Sequence, residues 1–215
     1  MYVLLGSSTS DASSPFSRRI RNAVPDFEAR GISGASVPSW IAKVRMEPAT
    51  TYQGQKVVVY LPGQVSVPSA ASIRQLTDLV MARGAANVQW VLPPKFPTGV
   101  KMNNTNTDRE QITGGSAAAI LAAGVGVLNR SRLVLRAAEV AGDGVHLTVA
   151  GQNRLADSLI PLLSSPTTGT SNPAPSEPSN PATIISPSAV VASGGVLTLV
   201  GILAGALGVY MLLNR

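Results

Sequence analysis

Several residue types that supply chemistry are missing or rare in this 215-residue chain, and each shortage excludes a class of site. The chain has no cysteine, which excludes disulfides, thiolate metal sites and a cysteine nucleophile. It has a single histidine, His146, so a zinc site built from several imidazoles is excluded as well. Any imidazole-based acid–base chemistry near neutral pH has to use His146, and we expect neither a metal nor another cofactor.

Charged and aromatic side chains are also scarce. Charged residues make up 13% of the chain and hydrophobic residues 45%, which excludes a mostly disordered polar chain and suggests membrane contact. The formal net charge is +6, but the basic residues are dispersed and only 4% of residues are aromatic, so no base-stacking pattern accompanies them. We therefore expect no nucleic-acid partner, and attraction to an anionic surface is an equally simple explanation of the charge.

The C-terminal part of the chain differs in composition from the rest. Residues 164–188 contain six prolines and a single acidic residue, which predicts an extended Pro/Ser/Thr-rich linker. Residues 189–213 carry no charged side chain and are long enough to cross a membrane, so we expect a transmembrane helix there rather than a buried core helix. Gly201 and Gly205 form a GxxxG pattern that would allow such helices to associate with each other. Residues 1–5 are too short and uncharged for a signal peptide, so we expect a single-pass C-terminal anchor in a bacterial or viral membrane.

Residues 1–163 alternate between short apolar runs and longer helical patterns, and we interpret them as one domain. Strands are predicted at residues 2–5, 56–61, 87–92 and 132–135, and helices at residues 16–23, 38–44, 72–83, 111–128 and 148–163. The alternation predicts an α/β fold, a three-layer α/β/α sandwich with a mostly parallel sheet. In such sheets functional residues collect beyond the carboxyl ends of the strands.

Two turns at this predicted edge carry reactive side chains. The first predicted strand runs into GSSTS (residues 6–10), which places the hydroxyl of Ser8 at the edge, although serine-rich turns are common in proteins of every kind. Asp143 and His146 are three residues apart in a tight turn before the last helix, so the carboxylate can contact one ring nitrogen and leave the other for a nucleophile. The alternative for this second turn is an ordinary Asp-Gly turn with a solvated histidine.

These turns resemble the first and last sequence blocks of the GDSL-type, or SGNH, hydrolases. The last block stands here as DGVHLTVAG (residues 143–151), and residues 30–35 (RGISGA) are similar to the family's glycine block. The resemblance covers residues 1–163 and implies a serine esterase in which Ser8 is the nucleophile, His146 the general base and Asp143 the group that orients the imidazole. It also implies an oxyanion hole formed by the backbone N–H groups of Ser8 and Gly34 and by an asparagine side chain.

Two positions depart from the family pattern. Ser7 stands where the family has an aspartate, and the third block, LPGQV (residues 61–65), contains no asparagine. Gln64 carries the same amide donor on a longer side chain and is our candidate for the third donor of the oxyanion hole, with an ordinary loop residue as the alternative. Loss of one such donor lowers the rate of an enzyme on the order of 100- to 1000-fold.

The sequence therefore supports two hypotheses about function. The first is a membrane-anchored serine esterase that cleaves a glycan O-acetyl or a lipid ester, with a phage or virion enzyme that acts on a cell envelope as one setting. The alternative is a catalytically weakened binding or structural module with the SGNH fold, displayed on a membrane or virion. Residues 93–109 form a long Pro/Asn-rich loop at the same edge, which is either a wall of the substrate site or a solvated surface loop.

Overall fold

The computed structural model describes residues 1–62, 66–102 and 105–165. Their centre is a parallel sheet of four strands in the order β2-β1-β3-β4. The strands are β1 (Tyr2–Gly6), β2 (Phe27–Gly31), β3 (Lys56–Tyr60) and β4 (Asn87–Trp90). Gly6 pairs with Gly31 on one side and with Tyr60 on the other, so the strands end almost level. We call the side of the sheet where they end the carboxyl edge.

Five α-helices follow or connect the strands. They are α1 (Pro15–Ala23), α2 (Val37–Met46), α3 (Ala70–Ala82), α4 (Arg109–Ala122) and α5 (Val149–Ser164). Each begins at a residue whose side-chain oxygen accepts a hydrogen bond from a backbone N–H of the first turn, and these N-caps are Ser14, Ser36, Ser69, Asp108 and Thr148.

The helices cover both faces of the sheet. On one face α2, α3 and α4 pack Trp40, Leu76 and Ile120 against side chains that include Val3 and Val59. On the other face α1 and α5 pack against the opposite side of the same strands, with Phe16, Ile20, Leu155 and Leu159 meeting Leu4, Val58 and Tyr60. Alternate residues of β1 and β3 thus enter different cores, which explains why these strands are apolar throughout. The prediction of an α/β fold with a parallel sheet is confirmed.

One strand was missed, and two predicted elements differ from the structure. The strand β2 was not predicted as an element, because at the edge of the sheet it is only partly buried and its sequence, FEARG, is polar. The strand predicted at residues 132–135 was wrong, because this segment forms only a single bridge, between Lys95 and Val134, and Val134 is 60% exposed. The helix predicted to reach residue 128 ends at Ala122, because Gly124 has a left-handed φ of 67°.

The linker from residue 166 onwards and the predicted span at residues 189–213 lie outside the described residues. No helix in the described part of the chain has the length and apolar character needed to cross a membrane.

Candidate active site

The serine turn (residues 6–10) packs directly against the ends of the strands. Gly6 closes β1, and Ser8–Ser10 follow as one turn of 3₁₀-helix. A Cβ at Gly6 would lie 2.0 Å from the Ser10 Oγ and 2.7 Å from the Tyr60 carbonyl oxygen, so only glycine fits at this position. The indole N–H of Trp40 donates a hydrogen bond of 3.1 Å to the Gly6 carbonyl and ties the turn to α2. Ser8 therefore lies at the carboxyl edge of the sheet, as predicted.

The hydroxyl of Ser8 has an unusual environment. Its Oγ is buried and forms no hydrogen bond with any residue in the described ranges. The hydrogen bond between Ser8 and His146 that a resting catalytic triad would contain is therefore not formed in this structure. Ser7, which stands where the family has an aspartate, is buried and its carbonyl accepts the N–H of Ser10 at 2.8 Å.

The Asp-His loop (residues 143–146) brings together the two residues predicted to form the base. The His146 Nδ1 lies 2.5 Å from the Asp143 Oδ2. The other carboxylate oxygen, Oδ1, accepts the backbone N–H groups of Val145 at 2.8 Å and of His146 at 2.9 Å. Both oxygens of Asp143 are thus engaged, and the Nδ1 of His146 is occupied. The Nε2 of the ring remains for another partner, which is the arrangement a general base needs.

The hydrogen bonds also control the charge of Asp143. Burial raises its pKa, but the hydrogen bonds from the His146 ring, from the His146 N–H and from the Val145 N–H together outweigh burial and lower the pKa to about 2. The carboxylate is therefore ionised at any pH near neutrality. An ionised carboxylate on Nδ1 favours the tautomer whose proton lies on that nitrogen. The Nε2 is then free to accept a proton.

The Asp-His loop is held at both ends. Gly144 has a left-handed φ of 65°, and a Cβ there would lie 2.0 Å from the Lys101 carbonyl oxygen, so the loop packs against the backbone of residues 100–102. On the other side the Ala141 N–H donates to the His146 carbonyl at 2.9 Å, and the Thr148 N–H donates to the Glu139 carbonyl at 3.0 Å. The long loop of residues 93–109 thus borders the Asp-His loop at Lys101 and Met102.

Gly34 lies in a turn at the same edge. The Ala35 N–H donates to the Ile32 carbonyl at 3.0 Å, and Gly34 at the third position of this turn has a φ of 72°. This conformation is typical of a type II turn, which requires glycine or asparagine at that position. The Ile32 N–H donates to the Gly6 carbonyl at 3.0 Å, so the turn is tied to the start of the serine turn. Gln64, the candidate third oxyanion donor, lies outside the described residues.

One buried charge near the site was not singled out from the sequence. Arg109, the first residue of α4, is 1% exposed, and its guanidinium lies 5.3 Å from the centroid of the Phe96 ring. Burial lowers the pKa of Arg109, while the charges of Tyr60 and Asp143 oppose that effect. A positive charge thus lies within electrostatic reach of the Asp143 carboxylate. The acidic residue before it, Asp108, signals the start of a helix, but nothing local indicates that the arginine is buried.

No group of three or more potential metal-binding side chains occurs within the described ranges. The site is therefore described by a serine turn after the first strand, a glycine turn after the second and an aspartate–histidine pair before the last helix. The sheet that these turns follow is parallel and covered by helices on both faces, which defines an α/β protein.

Comparison with known proteins supports this class at the level of the fold. The chain is similar to the crystal structure of a member of the lipolytic protein G-D-S-L family from Veillonella parvula, with a TM-score of 0.53 and 12% sequence identity over 73% of this chain and 93% of that chain. The likeness shows that the chain has the fold of that protein. No protein-family model matches the sequence, and no curated protein matches it.

Proposed function

We propose that this protein is a serine ester hydrolase in which Ser8 is the nucleophile, His146 the general base and Asp143 the residue that orients the imidazole. The observation that carries the proposal is the 2.5 Å contact between His146 Nδ1 and Asp143 Oδ2. The contact leaves Nε2 of the chain's only histidine for a further partner, and we take that partner to be the Ser8 hydroxyl at the carboxyl edge. The fold shared with a lipolytic protein adds support.

The proposed reaction has two halves. In the first, the Ser8 Oγ attacks the ester carbonyl while His146 Nε2 takes the hydroxyl proton, and the alcohol leaves with that proton, which gives an acyl-Ser8 intermediate. In the second, His146 takes a proton from water while the hydroxide attacks the acyl group, and it then gives that proton to the leaving Ser8 oxygen, which releases the carboxylic acid and free Ser8. Each half passes through an oxyanion, for which the N–H groups of Ser8 and Gly34 are the proposed donors. We assign the third donor to the Gln64 amide.

The nucleophile is tested with a labelling experiment on the full-length protein. An alkyl fluorophosphonate should label the wild-type chain at Ser8 and inhibit its turnover of p-nitrophenyl acetate, and Ser8→Ala should lose both labelling and turnover. Ser13→Ala is the matched control, because Ser13 is an exposed serine of the following turn whose hydroxyl only bonds Asp11. Equal turnover by the wild type and Ser8→Ala would overturn the proposal.

A second function is favoured by one observation, that no residue in the described part of the chain bonds the Ser8 hydroxyl. A binding or structural module with this fold would retain Asp143 and His146 as a structural pair and would not need to activate the serine. This alternative predicts no labelling of Ser8 by the fluorophosphonate and no ester turnover, while the fold and its thermal transition are unaffected by Ser8→Ala.

We also propose that the domain is held at a membrane by residues 189–213, through the linker of residues 164–188, with a glycan O-acetyl or a lipid ester as its substrate. The uncharged composition of the 189–213 segment supports this placement. The full-length chain should float with liposomes in a density gradient, and a chain ending at residue 165 should not. Substitution of both Gly201 and Gly205 by leucine should reduce cross-linked dimers in liposomes if the helices associate with each other. Flotation of both chains alike would contradict the anchor.

A further inference from the structure

A cavity of about 270 Å³ opens beside the glycine turn. It lies between the first turns of α2 and α3, and its lining includes Gly34, which follows β2, and Leu61, which follows β3. The strand β1 lies between these two strands in the sheet, and the serine turn follows it. The cavity is therefore bordered by loops on both sides of the turn that carries Ser8.

Gly34 belongs both to the cavity and to the proposed oxyanion hole. A donor of the oxyanion hole lies about 3 Å from the carbonyl oxygen of a bound ester. Because that donor is also part of the cavity wall, a group attached to the same carbonyl carbon has a short path into the cavity. In an ester the two groups on that carbon are the acyl chain and the alkoxy oxygen.

The walls of the cavity are uncharged. No ionisable side chain occurs among its described lining residues, and six of them are apolar: Ala35, Val37, Pro38, Leu61, Val67 and Pro68. Hydroxyls come from serines, but those of Ser36, Ser69 and Ser72 are used by the helix caps. A charged group would therefore find no counter-charge here, whereas an aliphatic chain would lose no hydrogen bonds on entry.

The side chain of Val67 lies between the cavity and the helix α4. It lines the cavity, and its Cγ2 and Cγ1 would lie 2.6 Å and 3.3 Å from a Cβ built on Gly115 of α4. Only a glycine at position 115 lets the valine rest directly on that helix. The helix behind Val67 thus fixes how far its side chain can withdraw from the cavity, so the size of residue 67 limits the space in front of it.

We propose that this cavity binds the acyl group of the substrate, an uncharged aliphatic chain of medium length, and that Val67 sets the longest chain accepted. The inference rests on the proposed esterase function. The size of the cavity supports this class, since an apolar cavity of ~150 Å³ holds benzene, and about 270 Å³ would hold roughly six to ten carbons. A short acetyl group alone would leave most of the cavity unfilled.

The test measures kcat/KM of the purified full-length protein for p-nitrophenyl acetate, hexanoate and decanoate. Val67→Phe should lower the hexanoate-to-acetate ratio at least about tenfold, since a change of a few methylenes in an apolar pocket has effects of that size. Val67→Ala should raise the decanoate-to-hexanoate ratio. Met46→Phe is the control, because Met46 is exposed at the end of α2 remote from the carboxyl edge.

Gly115→Ala provides a second variant whose substitution lies outside the cavity. Its methyl group would push Val67 forward, so the hexanoate-to-acetate ratio should fall several-fold although no cavity residue has been replaced. The inference is overturned if the chain-length ratios of Val67→Phe, Val67→Ala and Gly115→Ala equal those of the wild type.

A binding measurement separates this inference from the esterase proposal. In the Ser8→Ala variant, titration with hexanamide should shift the NMR signals of the Val67 methyl groups, and succinamate, which carries a carboxylate, should not. Hexanamide binding without any ester turnover by the wild type would retain the cavity and reject the esterase. Ester turnover without a hexanamide-induced shift would reject the cavity and retain the esterase.

Discussion

The two halves of the candidate site are built in different ways. In the Asp-His loop both carboxylate oxygens and the Nδ1 of the ring have partners, and the loop is braced by Lys101 and by the start of α5. In the serine turn the hydroxyls of Ser8 and Ser10 are buried and bond no residue of the described ranges, and the turn is positioned by packing against Gly6. The proposed base is therefore organised by hydrogen bonds before any substrate binds, whereas the proposed nucleophile has its backbone in place but a hydroxyl that pairs with no described residue.

The buried hydroxyl of Ser8 affects the free energy of the folded protein. A buried hydroxyl without a partner costs about 1–3 kcal/mol. Buried polar groups without a partner are few in native proteins, and a catalytic role is one explanation for them. If the Ser8 hydroxyl meets the Nε2 of His146 during the reaction, that bond would relieve the cost, whereas in a purely structural turn the cost would persist.

The strongest test of the organised half is Asp143→Asn. Asparagine has one oxygen, and the backbone N–H groups of Val145 and His146 would hold it, so its NH₂ group would face Nδ1. His146 would then carry its proton on Nε2 and could not accept one from Ser8. We expect kcat for p-nitrophenyl acetate to fall on the order of 10³- to 10⁴-fold, with the fold retained.

The control for that substitution is Asp78→Asn, which changes an exposed aspartate of α3 and should leave kcat unaffected. If Asp143→Asn retained more than about a tenth of the wild-type kcat, the role of the Asp143–His146 pair would be structural rather than catalytic.

The bracing of the base is tested by Gly144→Ala. The new Cβ would lie 2.0 Å from the Lys101 carbonyl oxygen, and alanine is also disfavoured at a φ of 65°. We expect the free energy of unfolding to fall by about 2–4 kcal/mol, measured by urea denaturation. Gly124→Ala is the matched control, since its φ is 67° but its Cβ would meet nothing within 4 Å, and it should lose only about 1–2 kcal/mol. Equal losses in the two variants would show that the contact with Lys101 contributes nothing.

The oxyanion donor of the other half is tested by Gly34→Ala. At a φ of 72° alanine is strained, so relaxation of the turn would move the N–H of residue 34 away from the developing oxyanion. We expect kcat to fall about 10- to 100-fold while KM changes little. Gly54→Ala has a similar φ of 69° in open space and is the control for strain alone. If Gly54→Ala lowered kcat as much as Gly34→Ala, the effect would come from a loss of stability rather than from a displaced oxyanion donor.

The strands that the sequence predicts best are those with apolar side chains packed on both faces of the sheet. Strands β1 and β3 have apolar layers on both faces, so short apolar runs identified them. At one edge of the sheet, β4 was identified by the buried Val88 and Trp90, which are followed by the buried Val91 and Leu92. The edge strand β2 has a polar sequence because one side is exposed, and no local pattern distinguishes it from a loop. Residues 132–135 show the reverse error. Their apolar run predicted a strand, but the segment forms only a single bridge, between Lys95 and Val134.

In the candidate site, the contacts that could be predicted are those between residues close in sequence. Asp143 and His146 are three residues apart, so their contact depends on a local turn and was predictable. The burial of Arg109 depends on segments that are more distant in sequence, such as the one that places the Phe96 ring beside the guanidinium. Such contacts cannot be inferred from the residues adjacent in the sequence.

The smallest expected effect concerns the stability of the organised half in acid. The pKa of Asp143 is about 2 in the folded protein against an ordinary value of 3.8, so its contribution to stability is complete above pH 4 and is lost as the pH falls from 4 towards 2. Because this side chain is 36% exposed, solvent screening limits the contribution to less than about 1 kcal/mol. The difference in unfolding free energy between the wild type and Asp143→Asn, followed from pH 5 to pH 2, should shrink over that interval. A difference that stayed constant down to pH 2 would mean that the charge of Asp143 does not stabilise the loop, and that neutral hydrogen bonds alone organise the base.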